Sequence, residues 1–166
     1  MHALAIVHQR DAGPGVFITA AAARGVGLDT WHPAEGEPAP PEPSAYDAVL
    51  TFGGAMHADQ EDRHAWLRQE KALLAELLGE GTPLLGVCLG SQLLAEAGGG
   101  SPRRASEPEI GWRKVELTPE GVTDPLLGVL PPRFEAFQWH SYKVAFLAEA
   151  VPLARSPVCL QAYRLG

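Results

Sequence analysis

The stretch GTPLLGVCLGSQLLAEAGGG, residues 81–100, carries the pattern that decides the fold. Its apolar run PLLGV, residues 83–87, is typical of a buried strand. The segment LGSQLLAEA, residues 89–97, is typical of a helix, so the chain passes from strand to helix at Cys88. Gly86 and Gly90 leave room for the turn and let the helix pack back on the sheet. The pattern therefore predicts a strand–turn–helix unit with a cysteine at its tip.

Cys88 has two interpretations in such a turn. A residue there has a strained backbone and an exposed side chain, as the serine has in the nucleophile elbow G-x-S-x-G. The helix dipole and the free N–H groups of a helix N-terminus lower the pKa of a thiol. The N–H of Leu89 would point to where an oxyanion develops during acyl transfer. The alternative is an inert, buried cysteine that packs as a small hydrophobic residue, and the spacing leaves both open.

A second glycine pair, Gly53 and Gly54, follows the apolar segment YDAVLTF of residues 46–52. Two glycines allow a backbone N–H to approach a substrate closely, so Gly54 is a candidate for the second oxyanion donor. A plain turn at the end of a strand is the alternative.

The sequence before residue 81 alternates predicted strands with predicted helices. Further strands are predicted at residues 3–8, 28–33 and 46–52, and helices at residues 13–25 and 59–81. The proline-rich residues 32–45 predict an exposed loop, because proline lacks a backbone donor. The alternation predicts an α/β fold of the flavodoxin-like type, with an open, mostly parallel sheet and helices on both faces.

The second half of the sequence is predicted to be β-rich. Strand-like alternation occurs at residues 111–118, 133–140, 151–156 and 158–166, and no helix is expected after about Ala97. These segments predict a mixed edge or ribbon. The length of 166 residues predicts a single domain, residues 1–166.

Composition argues against several function classes. The net charge is −7, and no cluster of Lys and Arg is larger than a pair such as Arg103–Arg104, so we expect no nucleic-acid or membrane partner. No apolar run reaches the length of a membrane span, and the N-terminus does not have the pattern of a signal peptide. Two cysteines are too few for a disulfide scaffold, which predicts a cytoplasmic protein.

Five motifs resemble those of the class I, triad-type glutamine amidotransferases, and nearest their GMP-synthase-like stand-alone branch. They are GVCLGSQLLA around Cys88, FGGAM at residues 52–56, EIGW at residues 109–112, FQWHSYKV at residues 137–144 and LARSPVCLQAYRLG at residues 153–166. They occur in the family's order and extend over almost the whole chain.

The resemblance implies a role for each matching residue. Cys88 matches the nucleophile, and the backbone N–H groups of Gly54 and Leu89 match the oxyanion donors. The residues expected to contact the glutamine substrate are Gly53, Gln92, Ser141 and Tyr142.

The resemblance also implies the reaction. Cys88 attacks the glutamine carboxamide, a γ-glutamyl thioester forms, and ammonia is released for an acceptor on a synthetase or other partner. Glutamine is the expected small-molecule substrate. No metal and no organic cofactor are expected.

The family's catalytic His and Glu lie in an HPE motif shortly after QAFRxG and have no counterpart in residues 1–166. We therefore expect either an incomplete C-terminus or a protein that lost its triad and kept the pocket. His140 is expected to support the substrate loop, and Cys159 to lie in the core of a strand. The alternative functions are a γ-glutamyl amide hydrolase that acts on another amine and a catalytically dead glutamine-binding or regulatory module.

Overall fold

A computed structural model describes residues 1–144 and 149–166 of the chain. The chain divides into two compact units, Met1–Gly98 and Gly99–Gly166. The grouping of residues 1–166 into a single domain stays a prediction.

The first unit is a parallel α/β unit. Its strands are β1 (His2–Ile6), β2 (Gly27–Trp31), β3 (Ala48–Thr51) and β4 (Leu84–Gly86), and its helices are α1 (Val16–Ala23), α2 (Trp66–Glu80) and α3 (Leu89–Ala97). The strands pair in the order β2-β1-β3-β4, and every pair is parallel. This order begins the flavodoxin-like sequence of strands. The predicted α/β fold class is confirmed.

Helices cover both faces of this sheet, as predicted. Side chains alternate between the two faces along a strand. On β1, Leu4 and Ile6 belong to the buried cluster that includes the α2 and α3 leucines. Ala5 belongs to a second buried cluster, against which Phe17 of α1 packs.

The start of one helix and the interior of the proline-rich loop differ from the sequence prediction. Helix α2 begins at Trp66 rather than near residue 59, because the polar residues before it form turns of their own, with Arg63 and His64 both donating to the carbonyl of Gln60. The proline-rich loop contains two short 3-10 helices, Pro33–Glu35 and Pro43–Ala45.

Among the described residues, none of the helices has both the length and the apolarity that crossing a membrane would need.

The second unit is built on an antiparallel sheet. Its strands are β5 (Pro102–Leu117), β6 (Arg133–Val144), β7 (Val151–Arg155) and β8 (Leu160–Arg164), in the order β6-β5-β7-β8. The prediction of a β-rich second half is confirmed. Its strands form a separate sheet, whereas the sequence predicted a mixed edge or ribbon.

The expectation of no helix after Ala97 is wrong. The short helix α4 spans Pro119–Thr123, and Oγ1 of Thr118 accepts a hydrogen bond from the N–H of Gly121 at 3.0 Å. A capping threonine followed by proline at the first helical position is the usual start of a helix.

We predict that Gly90→Ala destabilises the protein by about 3 kcal/mol, because the added methyl group would overlap the backbone carbonyl group of Thr51. Denaturant unfolding measures the change. Gly79→Ala is the matched control, since no atom lies within 4 Å of its added methyl group. Gly79 lies within α2, so the control should stabilise by about 0.5–1 kcal/mol. Equal stability of the two variants would contradict the packing described here.

Candidate active site

The carboxyl ends of three parallel strands bring the candidate residues of the first unit together. His8 follows β1, Gly53 and Gly54 follow β3, and Cys88 follows β4. Open α/β sheets bind ligands at this edge, and the neighbouring strands β1 and β3 flank the point where the strand order reverses.

The predicted strand–turn–helix unit is present, with Cys88 at the N-cap of α3. Its φ of 56° and ψ of −113° make it the one non-glycine residue with positive φ in the described part of the chain. A methyl group on Gly86 would lie 2.7 Å from the carbonyl carbon of Gly90, so both positions require glycine. The end of β3 holds the turn, because Val87 N–H donates to Thr51 O at 2.9 Å and Gly90 N–H to Phe52 O at 3.0 Å.

Cys88 is an exposed residue whose sulfur is largely covered by neighbouring atoms, and the backbone N–H groups of Leu89 and Gly54 favour its thiolate. Burial of the sulfur among neighbouring atoms raises its pKa above the ordinary value, and the N–H groups of Leu89 and then Gly54 act in the opposite direction. Burial has the larger effect, so the pKa is raised overall, whereas the sequence predicted a lowered value. A helix N-terminus favours the thiolate, but removal from water disfavours any charge.

Gly53 and Gly54 lie directly against the nucleophile turn. A methyl group on Gly53 would lie 3.8 Å from the Cys88 sulfur, so glycine leaves this side of the thiol clear. A methyl group on Gly54 would lie 3.1 Å from Cβ of His8 and 3.3 Å from Cδ2 of Leu89. The absence of side chains therefore lets the Gly54 N–H approach the sulfur.

Gln92 lies one turn into α3 and is 6% exposed. Among residues 1–144 and 149–166, one buried side-chain oxygen or nitrogen atom has no hydrogen-bond partner, and it is Oε1 of Gln92. Burying an amide oxygen without a partner costs about 1–3 kcal/mol. The assignment of Gln92 to substrate binding stays a prediction.

Ser141 and Tyr142 lie on β6 in the second unit, where Tyr142 pairs with Arg104 of β5. His140 supports this segment, because its Nδ1 donates to the carbonyl of Tyr142 at 3.0 Å. The binding roles predicted for Ser141 and Tyr142 stay predictions.

A cluster centred on Glu109 joins β5, β6 and the turn before β8. Oε2 of Glu109 accepts hydrogen bonds from Ser156 Oγ at 2.9 Å and Gln161 Nε2 at 2.7 Å, and lies 3.3 Å from His140 Nε2. The ligand atoms of Glu109, His140 and Cys159 lie within 4.8 Å of one another, so these three residues could hold a metal ion. The hydrogen bonds to Oε2 already account for their positions.

Cys159 differs from its prediction. It lies half-buried in the turn before β8, where its Sγ contacts Oε2 of Glu109 at 3.5 Å, rather than inside a strand. Burial, followed by the negative charge of Glu109, raises the pKa of this thiol to about 11.

A buried polar group beside the site was not predicted from the sequence. The side chains of His8 and Glu70 are 0% exposed, and Nε2 of His8 lies 2.7 Å from Oε2 of Glu70. Thr51 Oγ1 donates to the other carboxylate oxygen at 2.7 Å. One signal was available: Glu70 lies at helical spacing within the buried face that Leu67, Leu74 and Leu77 form on α2.

Comparison with known proteins agrees with this geometry. The sequence model of the family Glutamine amidotransferase class-I matches residues 19–157. The glutamine amidotransferase-like protein YfeJ of Salmonella typhimurium is 28% identical over 157 residues, 93% of this chain and 66% of that protein. The glutamine-hydrolyzing GMP synthase of Aeropyrum pernix is 40% identical over 119 residues, 69% of this chain and 20% of that protein.

A crystal structure of a glutamine amidotransferase from Thermotoga maritima has a TM-score of 0.86 at 29% identity, and the match covers 99% of this chain and 75% of that one. The chain belongs to the class I glutamine amidotransferase family. It spans less than two thirds of the length of the curated relatives given above.

We predict that Cys88→Gly is more stable than Cys88→Ala by about 1 kcal/mol, because only glycine adopts the positive φ of this residue without strain. Both substitutions remove the thiol, so the comparison isolates the backbone. Urea unfolding of the two variants measures the difference, and an alanine variant that is the more stable of the two would contradict a strained turn.

The Cys159 thiol should make stability depend on pH. Its pKa is raised from 9.0 in the unfolded chain to about 11 in the folded protein, so the unfolded chain loses the proton first. The contribution is complete below pH 9 and is lost as the pH rises toward 11. Unfolding free energies of the parent and Cys159→Ala should therefore converge over this range. A difference that stays constant with pH would contradict the raised pKa.

Proposed function

We propose that this chain hydrolyses the carboxamide of glutamine, with Cys88 as nucleophile. One observation carries the proposal: Cys88 occupies a strained strand–helix turn with its sulfur directly against Gly53, where the N–H groups of Leu89 and Gly54 favour the thiolate. Two backbone donors that converge beside a nucleophile are what acyl transfer requires, since charge develops on the carbonyl oxygen next to the attacking atom.

In the first step, the Cys88 sulfur forms a bond to the carboxamide carbon of glutamine. The carbonyl oxygen becomes an oxyanion, which accepts hydrogen bonds from Gly54 and Leu89. The tetrahedral species then breaks its C–N bond, the nitrogen takes up a proton, and ammonia leaves. Gln92, Ser141, Tyr142 and the backbone of Gly53 are proposed to contact the substrate.

In the second step, water attacks the γ-glutamyl thioester, and glutamate and the Cys88 thiol are released. Because burial keeps the resting thiol protonated, a base must accept the proton before or during attack. In the family that the motifs resemble, a histidine of the HPE motif accepts this proton, and none of residues 1–166 is assigned that role. No metal or organic cofactor takes part in these steps.

The released ammonia is proposed to pass to an acceptor on a synthetase partner or domain, in the cytoplasm. Support comes from the relative in Aeropyrum pernix, which is named a GMP synthase and described as glutamine-hydrolyzing. This chain matches 20% of that protein.

A second function, a glutamine-binding module without catalysis, is favoured by the raised pKa of Cys88. A neutral thiol is a weak nucleophile. Oε1 of Gln92 has no hydrogen-bond partner in the part of the chain that the structure describes, so it could still accept a hydrogen bond from a ligand.

We predict that the protein releases glutamate from glutamine and that Cys88→Ala lowers the rate by about 10,000-fold, because the covalent step is lost. Enzymatic measurement of glutamate detects the product. Cys159→Ala is the matched control, since it also removes a thiol, and it should retain the parent rate.

The alternatives give different results. Glutamine binding by calorimetry without glutamate release would support the binding module, as would failure of a chloroketone analogue of glutamine to label Cys88. Faster hydrolysis of other γ-glutamyl amides than of glutamine would support the γ-glutamyl amide hydrolase. Unchanged glutamate release by Cys88→Ala would refute the assignment of the nucleophile.

A further inference from the structure

The peptide between Gly53 and Gly54 has little to hold it in one orientation on its own. Neither residue has a Cβ, so rotations that reverse this peptide meet few steric barriers. The direction of the Gly54 N–H is nevertheless critical, because this group acts on the Cys88 sulfur. The surroundings must therefore select one orientation.

The carbonyl of the same peptide shows what selects it. In a trans peptide the C=O and the N–H point in opposite directions, so fixing the Gly53 carbonyl also fixes the Gly54 N–H. Nδ1 of His8 lies 3.3 Å from the Gly53 carbonyl oxygen. That oxygen can only accept a hydrogen bond, so Nδ1 carries the hydrogen and donates it.

The His8 side chain is held in place by a hydrogen-bond contact at Nε2 and by stacking of its ring. Its Nε2 lies 2.7 Å from Oε2 of Glu70, and its ring stacks on Trp66 with centroids 5.1 Å apart and planes 17° apart. Thr51 holds the second carboxylate oxygen of Glu70 at 2.7 Å. The His8 ring therefore cannot turn its Nδ1 away without breaking a buried hydrogen bond.

The next residue strengthens the same arrangement. Oε1 of Gln9 accepts a hydrogen bond from the N–H of Ala55 at 3.0 Å. Two successive residues after β1, His8 and Gln9, therefore contact the backbone at and just after the Gly53–Gly54 peptide. Cβ of His8 also packs under Gly54, where an added methyl group would lie 3.1 Å from it.

We infer that His8, held by Glu70, is the positioning residue that keeps the Gly53–Gly54 peptide turned with its N–H toward the Cys88 sulfur. His8 acts through the peptide and not on the substrate. The kinetic part of the test rests on the proposed glutaminase function, whereas the thiol part does not.

Two substitutions at one position separate the two bonds of His8. The amide nitrogen of His8→Asn takes the place of Nδ1 and can still donate to the Gly53 carbonyl. The amide nitrogen of His8→Gln takes the place of Nε2, so it can reach Glu70 but not the Gly53 carbonyl. The two variants share the same functional group and differ in the bond that they retain.

The first readout is the pH dependence of Cys88 alkylation by iodoacetamide, resolved from Cys159 by mass spectrometry. The thiolate is the reacting form, and the Gly54 N–H stabilises it. His8→Gln should therefore move the alkylation midpoint to higher pH, and His8→Asn should stay close to the parent. Equal midpoints in the parent, His8→Asn and His8→Gln would overturn the inference, whatever the enzyme activity.

The second readout is glutamate release. His8→Gln should lower kcat about 100-fold with a smaller change in KM, because a misplaced donor weakens the transition state more than substrate binding. His8→Asn should recover most of that loss. A parent protein without glutaminase activity would refute the proposed function and leave the alkylation result decisive for His8.

Substitutions at Glu70 test the support of His8. Glu70→Gln keeps the shape and a hydrogen bond to Nε2, so its alkylation midpoint should match the parent. Glu70→Leu removes both hydrogen bonds and should move the midpoint in the same direction as His8→Gln. If His8→Gln does not fold, Glu70→Leu decides the question, and an unchanged midpoint in that folded variant would overturn the inference.

Leu77→Ala controls for a general loss of stability, because Leu77 is also buried on α2 but lies outside this hydrogen-bond group. It should cost about 2–5 kcal/mol of stability and leave the alkylation midpoint unchanged. A shift in Leu77→Ala as large as that in His8→Gln would show that loosening of α2, not the His8 bond, controls the thiol.

Discussion

The positive φ of Cys88 is the constraint on which the rest of the site depends. A non-glycine residue in this region costs about 1–3 kcal/mol and persists only where its surroundings impose it. Here the end of β3 imposes it, through the bonds that Thr51 and Phe52 accept from Val87 and Gly90. Because Gly86 and Gly90 have no side chain, β4 and α3 lie close enough to β3 for those hydrogen bonds to form. The sulfur is thereby presented at the sheet edge instead of in the core.

The same turn sets two opposing influences on the sulfur. Removal from water favours the neutral thiol, while the two backbone donors favour the thiolate. Donors that are fixed in advance do not need to reorganise when negative charge moves from sulfur to a substrate oxygen. The backbone donors of such a site stabilise the negative charge that develops on the substrate oxygen during the reaction more than they stabilise a charge on the resting cysteine. The bonds that hold the Gly53–Gly54 peptide are therefore as relevant to the chemistry as the cysteine.

The sequence predicted the features that depend on local spacing. The glycines around Cys88, the apolar runs and the helical stripe of α2 were sufficient for the parallel sheet, the elbow and its place at the strand ends. The direction of the Cys88 pKa shift was not accessible in this way, because burial comes from segments that are distant in sequence. The role of His8 was missed for the same reason, since Glu70 is 62 residues away. The cap of α4 was visible at Thr118 and Pro119, but five residues give little helical periodicity.

The raised pKa of Cys88 has a consequence for the durability of the protein. Peroxides attack thiolates far faster than thiols, and the products beyond sulfenic acid are not restored by ordinary reductants. A sulfur that stays protonated while the site is idle is less reactive toward peroxides, even though Cys88 is an exposed residue. Vulnerability would then be confined to the brief interval in which a base has withdrawn the proton.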